Sequence, residues 1–242
     1  MNREIRLFGA IAVRPAVLAL ISQFEAATGY TVVVKWELNP TVKKQIEAGD
    51  PFDLVITNPN LVQDLPALGK VKAGSQVAFG RIAMGVAAKA GSRPLNIGSV
   101  EAFEHALKSA RSIAYASEGT SGGYFSGLLE RLGIADEVES KLVAISGGQT
   151  APAVGRGEAE LGVVPVTSIL AAAPEVMLVG RFPAELQSYI DFAIGISAAS
   201  TDAEAARQLS EFLTSTAVDD ILAAKGVERR HRAGATPKRA SP

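Results

Sequence analysis

Four short stretches of this 242-residue chain share one grammar: a strand end, a polar or glycine turn, and a helix start. They are "AVRPAV" around Arg14, "LNPTVKK" around Asn39, "GTSGGYF" around Thr120 and "GGQTAPAV" around Gln149. Pro15 and Pro40 suit the first helical turn, where a missing N–H costs nothing. Asn39, Thr120, Ser121 and Thr150 are N-cap residue types. A helix start presents unpaired N–H groups and the positive end of the helix dipole. Several starts facing one cleft make a basin for an anion. One such turn alone is what any strand-to-helix junction needs, and it is their number that points to a ligand.

The first junction offers Ile11, Ala12 and Arg14. A guanidinium opposes the dipole at a helix start, so Arg14 suits that place if it grips a carboxylate or phosphate bidentately. The other reading is a surface arginine in solvent. The second junction offers Asn39, Pro40 and Thr41, with Lys43 and Lys44 behind them. The third offers Thr120, Ser121, Gly122 and Tyr124, glycine allowing close backbone approach and the hydroxyls supplying donors. It lacks the Gly-Lys-Ser/Thr ending of a nucleotide-binding loop. The fourth offers Gly148 and Gln149.

Composition excludes other chemistries. There is no cysteine, so disulfides, thiolates and Cys-based zinc sites are ruled out. The two histidines, His105 in a helical pattern and His231 near the C-terminus, make neither a metal cluster nor a Ser-His-Asp triad. No metal or other cofactor is implied. Lys225–Pro242 holds six Lys/Arg against one Glu; that +5 leaves −6 on the remainder of a chain whose net charge is −1. An acidic body does not suit nucleic acid, and residues 229–242 read as a solvated, disordered basic tail. No apolar run reaches membrane-spanning length uninterrupted, so no span is expected. The N-terminus lacks a leader's apolar region and cleavage site. The chain is therefore expected to be cytoplasmic if complete as written, and periplasmic if a signal peptide has been removed.

The elements that must position these turns alternate strand and helix from "EIRLFGA" onward, the rhythm of βαβ units and a largely parallel sheet. Two long extended runs, "SQVAFGRIAMGVAAKAG" and "QSYIDFAIGISAA", bracket a second βα series. They predict an α/β fold of two lobes, each a mixed sheet flanked by helices, joined by two hinge strands. Lobe 1 is expected from residues 1–81 plus 192–228 and lobe 2 from 82–191. The cleft between lobes is the expected ligand site, closing by hinge motion.

"LFGAIAVRPAVLALISQFEAATGYTVVV", "PTVKKQIEAGDPFDLVIT" and "GEAELGVVPVTSI" resemble the molybdate-binding family of bacterial solute-binding proteins. The block from Gln45 to Ile56 is the most specific part. The resemblance covers nearly the whole chain except the tail, and implies the type II periplasmic-binding-protein fold. Exported members hand their ligand to an ABC transporter permease, and a monomer is expected. The chain departs from the family's hydroxyl cage, with Ala12 where a Ser is usual, Asn39, Pro40 and Thr41 in place of Ser-rich residues, and Pro165 where a Tyr is usual. Losing hydroxyls and gaining Arg14 favours a small di- or tricarboxylate over molybdate. Aconitate isomerase resembles this family too, which opens a second reading: a tricarboxylate isomerase in the same cleft. Its proton shuttle would be Lys43, Glu118 or Tyr124, and spacing does not choose among them. A cytoplasmic ligand sensor of the same fold is the third reading.

Overall fold

The structure is a computed structural model and describes residues 4–229. The first half of the chain runs β1 (Glu4–Ala10), a 3-10 turn (Ile11–Val13), α1 (Arg14–Thr28), β2 (Thr31–Glu37), α2 (Asn39–Ala48), β3 (Leu54–Thr57), α3 (Pro59–Asp64) and β4 (Val77–Lys89). Next come α4 (Val100–Ser109), β5 (Ile113–Ala116), α5 (Thr120–Arg131), the short α6 (Ala135–Val138) and β6 (Leu142–Ile145). Then follow α7 (Thr150–Arg156), β7 (Leu161–Pro165), α8 (Val166–Ala171), β8 (Val176–Arg181) and β9 (Tyr189–Ile196). The chain closes with α9 (Ala203–Thr214), α10 (Asp219–Ala224) and β10 (Val227–Glu228). Sequence pattern alone did not signal α6 or β10; both are too short to show a period.

The fold is α/β, with a mixed sheet flanked by helices. The main path is β2-β1-β3-β9-β4-β7-β5-β6, with β8 and β10 also paired to β4. β1 lies parallel to β2 and β3, and β5 parallel to β6 and β7. The long strand β4 serves both halves. Its Val77–Ala83 stretch pairs antiparallel with β9, and its Met84–Ala88 stretch pairs antiparallel with β7. The partners change between Ala83 and Met84. The second extended run supplies β9, which pairs with only the first half of β4. The return from β8 is made by residues 182–188, tied to β4 by Phe182 N–H to Met84 C=O and Met84 N–H to Ser188 C=O, both 3.2 Å.

α1 buries Val17, Leu20, Ile21 and Phe24, one face at helical spacing, and ends at Gly29, whose φ of 72° a side chain would strain. The stretch Ile11–Thr28 is, contrary to expectation, long and apolar enough to cross a membrane by length and composition. Arg14 and Glu25 interrupt its sequence but do not bring its mean hydropathy low enough, and here its apolar face packs into the core. A second, smaller core lies beneath α2, where Phe8 and Phe52 stack 5.7 Å apart beside Val42, Ile46 and Val55.

Arg6 on β1 forks onto Asp53, just before β3, through Nε at 3.0 Å and Nη2 at 3.2 Å. Asp53 also accepts the Arg6 N–H at 2.9 Å and the Ser200 hydroxyl at 2.8 Å. Burial pushes the Asp53 carboxyl up, but these bonds outweigh it and hold its pKa below the ordinary value. At the other end of the chain, Arg229 was expected to begin the tail. Instead its guanidinium bonds Asp219 Oδ1 and Leu213 C=O, both at 2.8 Å, and the Phe79 carbonyl. The rest of the expected tail lies outside the described residues.

Candidate functional site

The caps of α2, α5 and α7 fall one residue earlier than the expected Asn39, Thr120 and Thr150. Leu38, Gly119 and Gln149 occupy the cap positions of α2, α5 and α7, and none of them caps with its side chain. Asn39, Thr120 and Thr150 therefore stand first in their helices, with their side chains released for other partners. In α5 the first intrahelical bond runs from Gly123 N–H to Gly119 C=O at 3.2 Å. The N–H groups of Thr120, Ser121 and Gly122 have no acceptor within the helix. α2 likewise starts bonding at Val42 N–H to Leu38 C=O, 2.9 Å.

These starts converge. A small cavity of about 50 Å³, open at its mouth, lies between the two halves of the sheet. Of the residues expected at the site, Ile11, Ala12, Asn39, Thr120, Ser121, Gly148 and Pro165 line it. Glu118 lines it too, and is the one charged residue in the lining. Donors in the lining can therefore come only from helix-start N–H groups and neutral side chains, and the positive dipole ends of α2 and α5 are set against the Glu118 carboxylate.

Several expected residues lie elsewhere. Arg14 is exposed and outside the lining. The 3-10 turn Ile11–Val13 intervenes between β1 and α1, so Ile11 and Ala12 face the cavity and Arg14 comes round to solvent. Pro40 lines a shallower adjoining cavity with Asn58 and Tyr189, which shares Thr120 and Ile190 with the first. Thr41, Gly122 and Gln149 are also outside the lining. Gly122 instead lets α5 sit against β5, since a Cβ there would lie 1.6 Å from the Ala116 carbonyl oxygen. Tyr124 donates its hydroxyl to Leu186 C=O at 2.6 Å and accepts from Arg131 at 3.2 Å, away from the cavity. Lys43 Nζ binds Asp64 Oδ2 at 2.8 Å, which raises its pKa. Of the three proton-shuttle candidates, only Glu118 reaches the site.

Sequence reasoning missed Leu38, Thr150 and Ser168, all of which line the cavity. Thr150 is 2% exposed, and its hydroxyl has no hydrogen-bond partner among the described residues. Its cap-type identity was the available signal. Ser168 lies in the first turn of α8, a fifth junction hidden because α8 follows directly on Pro165, the last residue of β7, with no polar or glycine turn. Leu38 packs toward Gly119 and Gly147 across the cleft, and Ile11 toward Gly148. The cavity thus has apolar walls between its polar corners.

Three comparisons bear on this arrangement. An aconitate isomerase from Pseudomonas sp. is 29% identical over 175 residues, 72% of this chain and 66% of the enzyme. A molybdate-binding protein of Escherichia coli strain K12 is 28% identical over 198 residues, 80% of this chain and 77% of that protein. The periplasmic molybdate-binding protein of Azotobacter vinelandii superposes with a TM-score of 0.79 at 21% identity, covering 94% of this chain and all of that one. Residues 5–228 match the family model for bacterial extracellular solute-binding proteins, and the chain belongs to that family.

Proposed function

We propose that the chain binds a small carboxylate anion, a di- or tricarboxylate in preference to molybdate, in the cavity between the two halves of its sheet. The two halves are proposed to be the lobes expected from sequence, closing over the ligand. The observation that carries the reading is the cavity lining itself. Helix-start residues from both halves line it, Asn39 from α2 and Thr120 and Ser121 from α5, together with Thr150 and Ser168, between walls of Ile11, Leu38, Val164 and Ile190. Carboxylates take the N–H groups and hydroxyls, and the carbon chain between them takes the apolar walls. A tetrahedral metal oxyanion has oxygen on every side and leaves those walls unused. As a member of an extracellular solute-binding family, the chain is proposed to act outside the cytoplasmic membrane and to pass its ligand to an ABC transporter permease.

The test is a calorimetric and thermal-shift panel of molybdate, tungstate, sulfate, phosphate, citrate, and cis- and trans-aconitate. A ligand at about 100 times its Kd adds about 2.7 kcal/mol to stability, enough to stand out. Shifts with the carboxylates alone support the reading, and shifts with molybdate or tungstate alone overturn it.

A second reading is favoured by Glu118. Isomerisation of aconitate moves a proton along an allylic system, so it needs a group that removes a proton at one carbon and returns one at another. Glu118, in the cavity lining, is the residue proposed for this step. If the chain turns over trans-aconitate, followed by proton NMR, Glu118→Gln should abolish turnover and retain binding. A chain that binds the tricarboxylate without turnover is a receptor.

A further inference from the structure

We propose that the Thr120 hydroxyl is a clasp that holds the cleft shut, setting how long an anion stays bound and not which anion binds; this rests on the anion-binding reading above. Thr120 stands at the start of α5, carried by the half of the sheet that contains β5. Asn39 and Asn58 stand at the starts of α2 and α3, carried by the half that contains β1 and β3. Thr120 Oγ1 donates to Asn58 Oδ1 at 3.0 Å and accepts from Asn39 Nδ2 at 3.4 Å. Both amides are anchored on their own side. The Thr57 hydroxyl donates to Asn39 Oδ1 at 2.7 Å, and Asn58 Nδ2 donates to Asp191 C=O at 2.9 Å. Each donor in this chain meets one acceptor, so neither amide can turn over without breaking two bonds. Asn39 and Thr57 are buried while Thr120 is exposed. A fixed receiver is therefore met by a group that arrives from the solvent side.

The clasp has a physical reason to exist. Closure brings the positive ends of α2 and α5 together, which is unfavourable until an anion sits between them. Thr120 offsets part of that repulsion in the empty protein. An anion and the clasp then favour the same closed form, and apparent affinity scales with the closed fraction present before binding. The hydroxyl's one donor is spent on Asn58, so its loss should change every anion's affinity by the same factor.

The chain has no cysteine, so Lys44→Cys and Glu130→Cys, exposed on α2 and α5, place spin labels at two positions only. In ligand-free protein, Thr120→Val should lengthen or broaden the inter-label distance, and Thr120→Ser should keep the parent distribution. A Thr120→Val distribution that coincides with the parent overturns the proposal whether or not any anion binds. With citrate and molybdate as probes, Thr120→Val should speed release at least about 2- to 10-fold, the worth of the shorter of its two neutral hydrogen bonds alone. The ratio of the two affinities should stay fixed. A changed ratio would make Thr120 a ligand contact and also overturn the clasp. If no anion binds, the anion-binding reading fails and the distance measurement still decides the clasp.

Discussion

The methyl of Thr150 lies on the Gly162 side of the residue, 3.9 Å from where a Cβ on that glycine would be, while its hydroxyl stays unpartnered in the cavity lining. A buried hydroxyl without a partner costs free energy, on the order of 1–3 kcal/mol. Thr150→Val should therefore raise the melting temperature of the empty protein and weaken the anion, about 5-fold or more if the ligand accepts that hydrogen bond. Opposite signs in the two measurements separate a ligand contact from a packing defect, which would raise stability and leave affinity alone. Arg14 argues the other way. It is the residue sequence reasoning weights most heavily at the first junction, yet it is exposed and outside the cavity. Arg14→Ala should change affinity less than about 3-fold at physiological salt, where exposed charges are largely screened. Titration calorimetry of citrate against the variant checks this. The residue types around Arg14 could not reveal its direction, because the inserted 3-10 turn depends on how α1 seats on the sheet and not on local spacing.

At the scale of elements, α5 depends on its first glycine, Gly122. Gly122→Ala would drive a methyl into the Ala116 carbonyl and force α5 away from β5, costing about 3 kcal/mol, at the upper end for overpacking. Its melting temperature should fall by several degrees and anion affinity with it, while Gly123→Ala, which meets nothing within 4 Å, should be harmless. Arg229 joins β10 to the end of α9 through the Leu213 carbonyl and to β4 through the Phe79 carbonyl. Arg229→Ala should lower the melting temperature, in contrast to its expected place in a tail. Most elements were legible. The periodicity of α1, the glycine stops at Gly29 and Gly49, and the apolar run of β3 all carry strong local signals. What sequence could not show was side-chain direction at the helix starts. Asn39 and Thr120 have cap chemistry, but their partners, Thr57 and Asn58, come from other segments. The cavity residue Leu38 looked like the end of a strand because its role lies across the cleft.

For the whole molecule, the Arg6–Asp53–Ser200 group links β1, the start of β3 and the segment after β9. The folded Asp53 carboxyl titrates below 3.8, its ordinary value, so its contribution to stability is complete above that pH and is lost as pH falls through the lowered folded value. Asp53→Asn should be less stable than the parent at pH 7, on the order of 2 kcal/mol for hydrogen bonds to a charge. It should also lose less than the parent between pH 5 and pH 2, which denaturant melts at several pH values would measure. This gives the "DPFDLVI" part of the most specific block a mechanical job, at residues outside the cavity lining. The path of β4 and β9 has a different kind of consequence, one of timing. The first half of the sheet begins with residue 4 but gains β9 only at Tyr189 and β10 only at Val227, whereas β5, β6 and β7 all come after β4 and before Tyr189. A chain emerging from the ribosome can pair β7 and β8 with β4, and β5 and β6 onto β7, while the inner edge of β3 still waits for its neighbour. The segment made first is thus finished last, and proteases added to stalled nascent chains should cut near β3 until β9 has cleared the exit tunnel.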